Sequence, residues 1–194
     1  MRPNASYSAP VSTAIAPADT ACAAPSTPCA PAWRSMGTVS PTATPDAVYC
    51  ALIDPTAVQS WMVPDGMTSS IERFEAEVGG TFRISLTYDE PTTAGKSDDR
   101  TDTFHGRFVE LDPGRRVVQT VEFETDDPAT QGEMTITYTL RAIDGGTELI
   151  GLHEGLPPGV APEDNELGWS MSLDKLAALV ECSDQPGGGA VSGR

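Results

Sequence analysis

The stretch "GGTELIGLHEGLPPG" sets two chemically capable residues, His153 and Glu154, at the end of a short apolar run. An imidazole titrates near neutral pH, so His153 is a candidate hydrogen-bonding group for a ligand, or a proton carrier. Side chains alternate between the faces of a strand, which puts Leu149, Gly151 and His153 on one face and Ile150, Leu152 and Glu154 on the other. If the first set points inward, Gly151 leaves room beside a cavity and His153 turns a polar ring into it. If the second set does, His153 lies outside. In both registers Glu154 points away from His153, so the two do not share one substrate. A histidine that fixes the strand-to-loop turn ranks ahead of a catalytic one.

Other signatures of chemistry are sparse. His105 alternates with Phe104 and Phe108, which are placed inward, so His105 faces solvent or the sheet edge. Two histidines without a spaced set of Cys, Asp or Glu ligands do not build a metal site. The cysteines stand at 22, 29, 50 and 182, and the first two lie in a Pro/Ala tract with no partner ligands. Cys50 falls in an apolar helical pattern and is expected to pack as a small hydrophobe. No nucleophile elbow and no phosphate-cradling glycine loop occurs; Gly79-Gly80 joins two strands and is a turn. Asp98-Asp99 and Asp126-Asp127 read as solvated loop carboxylates, and Arg107, Arg115 and Arg116 as surface charges. No catalytic residue, metal ligand or cofactor is assigned.

The elements that must position His153 emerge from composition and period. The chain has 194 residues, with 12 Lys+Arg against 28 Asp+Glu and a formal charge of −16. So acidic a surface repels phosphate backbones and anionic lipid, which argues against nucleic-acid and membrane partners. No run of 18 apolar residues occurs to span a bilayer. Residues 1–35 are Ala, Pro, Ser and Thr with few large apolar side chains, and are expected to be a disordered leader without a secretory h-region; Asn4-Ala5-Ser6 is then a chance sequon. Translation beginning at Met36 is one reading of that leader. A domain over 36–182 and a flexible Gly-rich tail over 183–194 complete the organisation, with a cytoplasmic location and reduced thiols.

Within the domain, Thr44-Pro45 starts a helix bearing Val48, Leu52, Cys50 and Ile53, and Asp54-Pro55 stops it and caps a second through Trp61. The period then falls to two. "TFRISLTY" puts Phe82, Ile84, Leu86 and Tyr88 on one face, and "EMTITYTL" does the same with Met134, Ile136, Tyr138 and Leu140. "SSIERFEAE", "DTFHGRFVEL", "RRVVQTVEFE" and "TELIGLH" are further strands, joined by Gly-bearing turns and one polar loop from Glu90 to Arg100. An initial strand over Gly37–Ala43 would make seven, though Ser40-Pro41 weakens it. Trp169, Leu173, Leu176, Ala177 and Val180 then recur at helical spacing behind an acidic first turn.

Five segments, "VYCALIDPTAVQSWM", "VGGTFRISL", "GRFVELDPGRRVV", "GGTELIGLHEGLP" and "GWSMSLDKLAALVE", occur in an order and spacing that resemble the activator of Hsp90 ATPase-like (AHSA-type) branch of the START/SRPBCC, or birch-allergen-like, superfamily. The resemblance covers roughly residues 37–182. It implies an α+β helix-grip fold: a curved antiparallel sheet of six to seven strands wrapped around a long C-terminal helix, with a short helix pair after the first strand. It also favours the register that turns His153 inward. The chain departs from the family pattern in its short, proline-bearing first strand and in Ile150 and Leu152, where relatives carry small polar residues.

A groove between helix and sheet is the functional lead. Trp61, Phe74, Phe82, Phe108, Phe123, Tyr138 and Trp169 are expected to face it, with His153 and Leu173. They either fill it as core or line a pocket in which Tyr138, His153 and Trp169 are the polar handles. The first function hypothesis is a cavity for a hydrophobic small molecule. A co-chaperone-like role, with a chaperone or another protein as partner, is implied by the family name, and a cyclase- or hydrolase-type enzyme in the same cavity is the third. Ligand identity and the choice between monomer and homodimer are left open.

Overall fold

The computed structural model describes residues 34–90, 95–98 and 100–183. The leader as far as residue 33, with Asn4, Cys22 and Cys29, and the tail beyond Ser183 lie outside these residues.

Seven strands form one antiparallel sheet in the order β1-β7-β6-β5-β4-β3-β2, curled into a half-barrel. They are β1 (Arg34–Val39), β2 (Met67–Phe74), β3 (Thr81–Tyr88), β4 (Thr101–Asp112), β5 (Arg116–Phe123), β6 (Met134–Ile143) and β7 (Gly146–Glu154). The helices are α1 (Pro45–Ile53), α2 (Pro55–Trp61) and α3 (Pro162–Ser183). The α+β helix-grip architecture is thus observed, with the helix pair carrying the chain from one edge strand to the other. The first strand does exist, but it occupies Arg34–Val39 and ends before Ser40-Pro41, because proline cannot donate to the ladder.

Local chemistry explains the helix pair. The Ala47 amide donates to Thr44 Oγ1 at 3.3 Å and Pro45 opens α1, where its missing N–H costs nothing. The Ala57 amide donates to Asp54 Oδ1 at 2.8 Å, so Asp54 ends one helix and starts the next. Val48, Ala51 and Leu52 are buried, whereas Cys50 is exposed. At 100° per residue, position 50 lies about 200° from Val48, on the solvent side of α1.

Curling comes partly from two bulges, between Ile71 and Arg73 on β2 and between Phe108 and Glu110 on β4. The second keeps Phe108 inside and turns Val109 out. On the convex face Arg83 makes a two-pronged pair with Glu124, both bonds 2.8 Å, and His105 lies 3.5 Å from the same carboxylate. Arg83 holds the Glu124 carboxyl below the usual carboxylate range. His105 therefore serves the outer face, as its alternation with Phe104 and Phe108 predicts.

On the concave face α3 packs against β1, α1 and α2. Trp169, Leu173, Leu176 and Val180 form its buried stripe. Lys175 pins the helix to the α2–β2 connection, donating to the Val63 carbonyl at 2.6 Å and pairing with Asp65 at 2.8 Å. Inward side chains of β3 to β7 supply the other half of the core, including Phe82, Ile84, Met134, Ile136, Tyr138 and Leu149.

Candidate functional site

Along β7 burial alternates without a break, and Thr147, Leu149, Gly151 and His153 all point inward. Their register across the sheet decides what each meets. Gly37, Gly151 and Tyr138 are consecutive partners on β1, β7 and β6. The two glycines leave a shallow bed in that row, and the Trp169 indole lies in it. Its Nε1 edge would sit 3.1 Å from a Cβ at position 37 and 2.9 Å from one at 151. Tyr138 stacks on the indole at 5.6 Å and 27°, and Trp61 meets Tyr138 edge-on at 6.2 Å. Trp61 is itself fixed by donating from Nε1 to the Ala51 carbonyl at 2.9 Å.

Two residues further along β7, His153 lies beside Trp169, ring centroids 5.7 Å apart. Asn165, one turn before Trp169 on α3, places its side-chain nitrogen 3.2 Å from His153 Nδ1. His153 is buried, and its Nε2 has no hydrogen-bond partner among the described residues. Desolvation pushes its pKa down to about 4. The ring is therefore neutral at pH 7 and unsuited to the proton-carrier role that an ordinary histidine would fill there. Burial likewise drives the Tyr138 hydroxyl far above its usual range.

Beyond His153 the helix and sheet part around a cavity of about 520 Å³. Its floor is Leu86, Phe104, Val121, Phe123, Met134 and Ile136; its roof is α3 from Asp164 to Ser172, with the segments around Met62–Asp65 and Gly159–Ala161 at the sides. A second polar group closes the far side. Asp102, buried on β4, accepts hydrogen bonds from the Lys96 amide at 2.6 Å and the Tyr88 hydroxyl at 3.3 Å, and pairs with the Lys96 ammonium. Lys96 also lies 5.1 Å from the centre of the Phe123 ring. His153 and Asp102 stand on β7 and β4, three strand spacings apart in the sheet. The cavity is thus a long apolar trough with a neutral imidazole at one side and a lysine–aspartate pair at the other.

The residues expected at the groove divide into three groups. Phe123, His153 and Trp169 line the cavity. Trp61, Tyr138 and Leu173 lie in the core behind Trp169 and are not among the residues that line the cavity. Phe74, Phe82 and Phe108 pack on one another at 5.4–6.2 Å, elsewhere on the concave face. They too are absent from the cavity wall. Lys96, Asp102, Tyr88 and Asn165 are among the polar wall residues that the sequence reading did not place at the site, with Asp65, Asp164 and Ser172. Among the described residues no group of three His, Cys, Asp or Glu side chains is placed to hold a metal ion, and no helix is long and apolar enough to cross a membrane.

The family model described as Activator of Hsp90 ATPase homolog 1-like protein matches residues 42–181. Among solved structures, protein CV1439 from Chromobacterium violaceum is 34% identical, with a TM-score of 0.68 over 77% of this chain and 97% of that one. A protein from Rhodobacter sphaeroides is 23% identical, with a TM-score of 0.64 over 78% of this chain and 93% of that one. DynU16, a protein of the dynemicin biosynthetic locus, is 21% identical with a TM-score of 0.54 over 78% of this chain and 48% of that one, a likeness of fold alone. No curated protein matches the chain.

Proposed function

This chain belongs to the Activator of Hsp90 ATPase homolog 1-like family, and on that premise we propose that it binds an apolar small molecule between its curled sheet and α3. One observation carries the reading: the trough of about 520 Å³, mostly apolar and bearing polar groups at two separated places. That size and that mixture suit a small organic ligand, which gains affinity from apolar contact and orientation from a few polar atoms. Trp169 is the rigid anchor, since Tyr138 behind it and the glycines beneath it hold its position. A co-chaperone role rests on the family description alone, so it ranks second. The free thiols of Cys50 and Cys182, both exposed, suit a reducing cytoplasm.

Native mass spectrometry of the protein purified from its own host tests the proposal. A mass adduct released by organic solvent is expected, and Val121→Trp, which fills the trough floor, should abolish it. An adduct that survives Val121→Trp places the ligand elsewhere, and protein that takes up no apolar molecule under any loading rejects the reading.

A further inference from the structure

We propose that the trough selects a neutral, apolar molecule bearing a hydroxyl group, and that this hydroxyl accepts from the Lys96 ammonium and donates to the Tyr88 phenol oxygen. The inference rests on the reading of the trough as a ligand site and names the ligand's chemistry.

Asp102 sets the roles of its two neighbours. A carboxylate only accepts, so the Tyr88 hydroxyl, 3.3 Å from Asp102 Oδ2, spends its proton there. The phenol oxygen keeps a lone pair for another donor. Burial pushes this hydroxyl above its ordinary range, so it stays protonated at pH 7. The Lys96 ammonium pairs with the same Oδ2. That contact uses one of its three N–H groups, and the Phe123 ring lies 5.1 Å away. A donor and an acceptor thus converge on one carboxylate oxygen at the wall of the trough. Their carriers are only partly buried, whereas Asp102 beneath them is buried and held by the Lys96 amide at 2.6 Å.

A hydroxyl both donates and accepts, so it answers the two groups at once. An ether or a carbonyl accepts from Lys96 and leaves the Tyr88 oxygen without a donor. An anion fares worse. Lys96 is the one basic side chain among the described wall residues, and Asp102 cancels its charge. Asp65 is paired with Lys175, and Asp164 adds a further carboxylate at the rim. A carboxylate ligand entering here loses its water and meets no net positive charge. A hydrogen bond from an ammonium beside apolar side chains is, by contrast, stronger than one between neutral groups.

Four probes of one shape separate these contributions: naphthalene, 2-methoxynaphthalene, 2-naphthol and 2-naphthoate, titrated calorimetrically into the full chain at pH 7. The naphthol should bind about tenfold more tightly than its methyl ether, and the carboxylate more weakly than either. Tyr88→Phe should bring the naphthol down to the methyl ether and leave naphthalene affinity in place. In the wild-type protein the Lys96 Nζ nitrogen resonance should shift with the naphthol and stay with naphthalene, a readout that needs no variant. Equal affinity for naphthol and methyl ether, an advantage that survives Tyr88→Phe, an Nζ resonance unmoved by bound naphthol, or tightest binding by the carboxylate overturns this inference while leaving the trough a ligand site. Failure of all four probes to bind overturns the site itself and the inference with it.

Discussion

Gly151 and Trp169 touch so closely that a single added carbon does not fit: a Cβ at position 151 would lie 2.8 Å from Trp169 Cζ2. The indole cannot retreat, because Tyr138 is stacked on it at 5.6 Å. Gly37, the cross-strand partner of Gly151, is held to the same standard by Trp169 Cδ1 at 2.8 Å and Leu173 Cδ1 at 2.5 Å. The height of α3 above the sheet is therefore set by two residues that lack side chains. The trough opens where that row ends.

Gly151→Ala should destabilise the fold by about 1–3 kcal/mol through overpacking against a rigid ring. In the Trp169→Leu background the same substitution should cost much less, since the obstructing atoms are gone. Urea denaturation of the four proteins closes the cycle. Additive effects would separate Gly151 from Trp169 and reject the account of the glycine bed.

The buried imidazole makes stability depend on pH in a known direction. Unfolded His153 takes up a proton below its ordinary value of 6.5, while in the folded protein burial delays this to about 4. Between those values the unfolded chain binds more protons, so stability falls as pH falls and the loss levels off below about 4. The stability difference between wild type and His153→Gln should shift by up to about 3 kcal/mol across that window. Parallel pH profiles for the two proteins would show that the ring protonates freely in the folded state.

Much of this arrangement was legible from residue order. Period two along "TELIGLH" left two registers open and the family resemblance favoured the one with an inward His153, while helical spacing from Trp169 to Val180 implied the stripe that covers it. The limits Thr44, Asp54 and Pro55 set for the helix pair follow from capping chemistry. Parity, however, says only that a side chain is on the concave face, not where on it. Phe82 and Tyr138 satisfy the same inward rule as Met134, yet one joins a phenylalanine cluster, one supports Trp169 and one floors the trough. Lys96 and Asp102 were invisible for a different reason. Their contact needs the segment before β4 to fold back along the strand, and no periodicity encodes that return.

That pair makes an asymmetric prediction. Asp102 is almost wholly buried, whereas the Lys96 side chain keeps 28% of its surface in solvent. Removing the lysine strands a buried carboxylate; removing the carboxylate's charge lets the ammonium turn to water. Lys96→Met should therefore cost about 2–3 kcal/mol and Asp102→Asn about 1, because the amide oxygen still accepts from the Lys96 amide and the amide nitrogen that replaces Oδ2 can donate to the Tyr88 hydroxyl. Denaturation midpoints in the reverse order would mean that the pair is solvated and does not close the trough.

The last prediction concerns where the folded unit begins. β1 starts at Arg34, two residues ahead of the Met36 boundary that composition suggests, and its first two positions pair with Glu154 and His153. A chain starting at Met36 loses those two pairs at the end of β7 that presents His153 to the trough. The loss of about 1 kcal/mol of edge pairing should lower its melting temperature by about 2–4 °C relative to a chain starting at Arg34. The Arg34 start should melt with the full-length protein, since the Ala/Pro/Ser/Thr leader lacks apolar surface to contribute. The same truncation should speed exchange of the β7 amides near His153 without touching those of β3. Equal melting of the Met36 and Arg34 starts would show that β7 holds its terminal residues without a neighbour. A full chain that melts many degrees above the Arg34 start would show that the leader contributes to the fold.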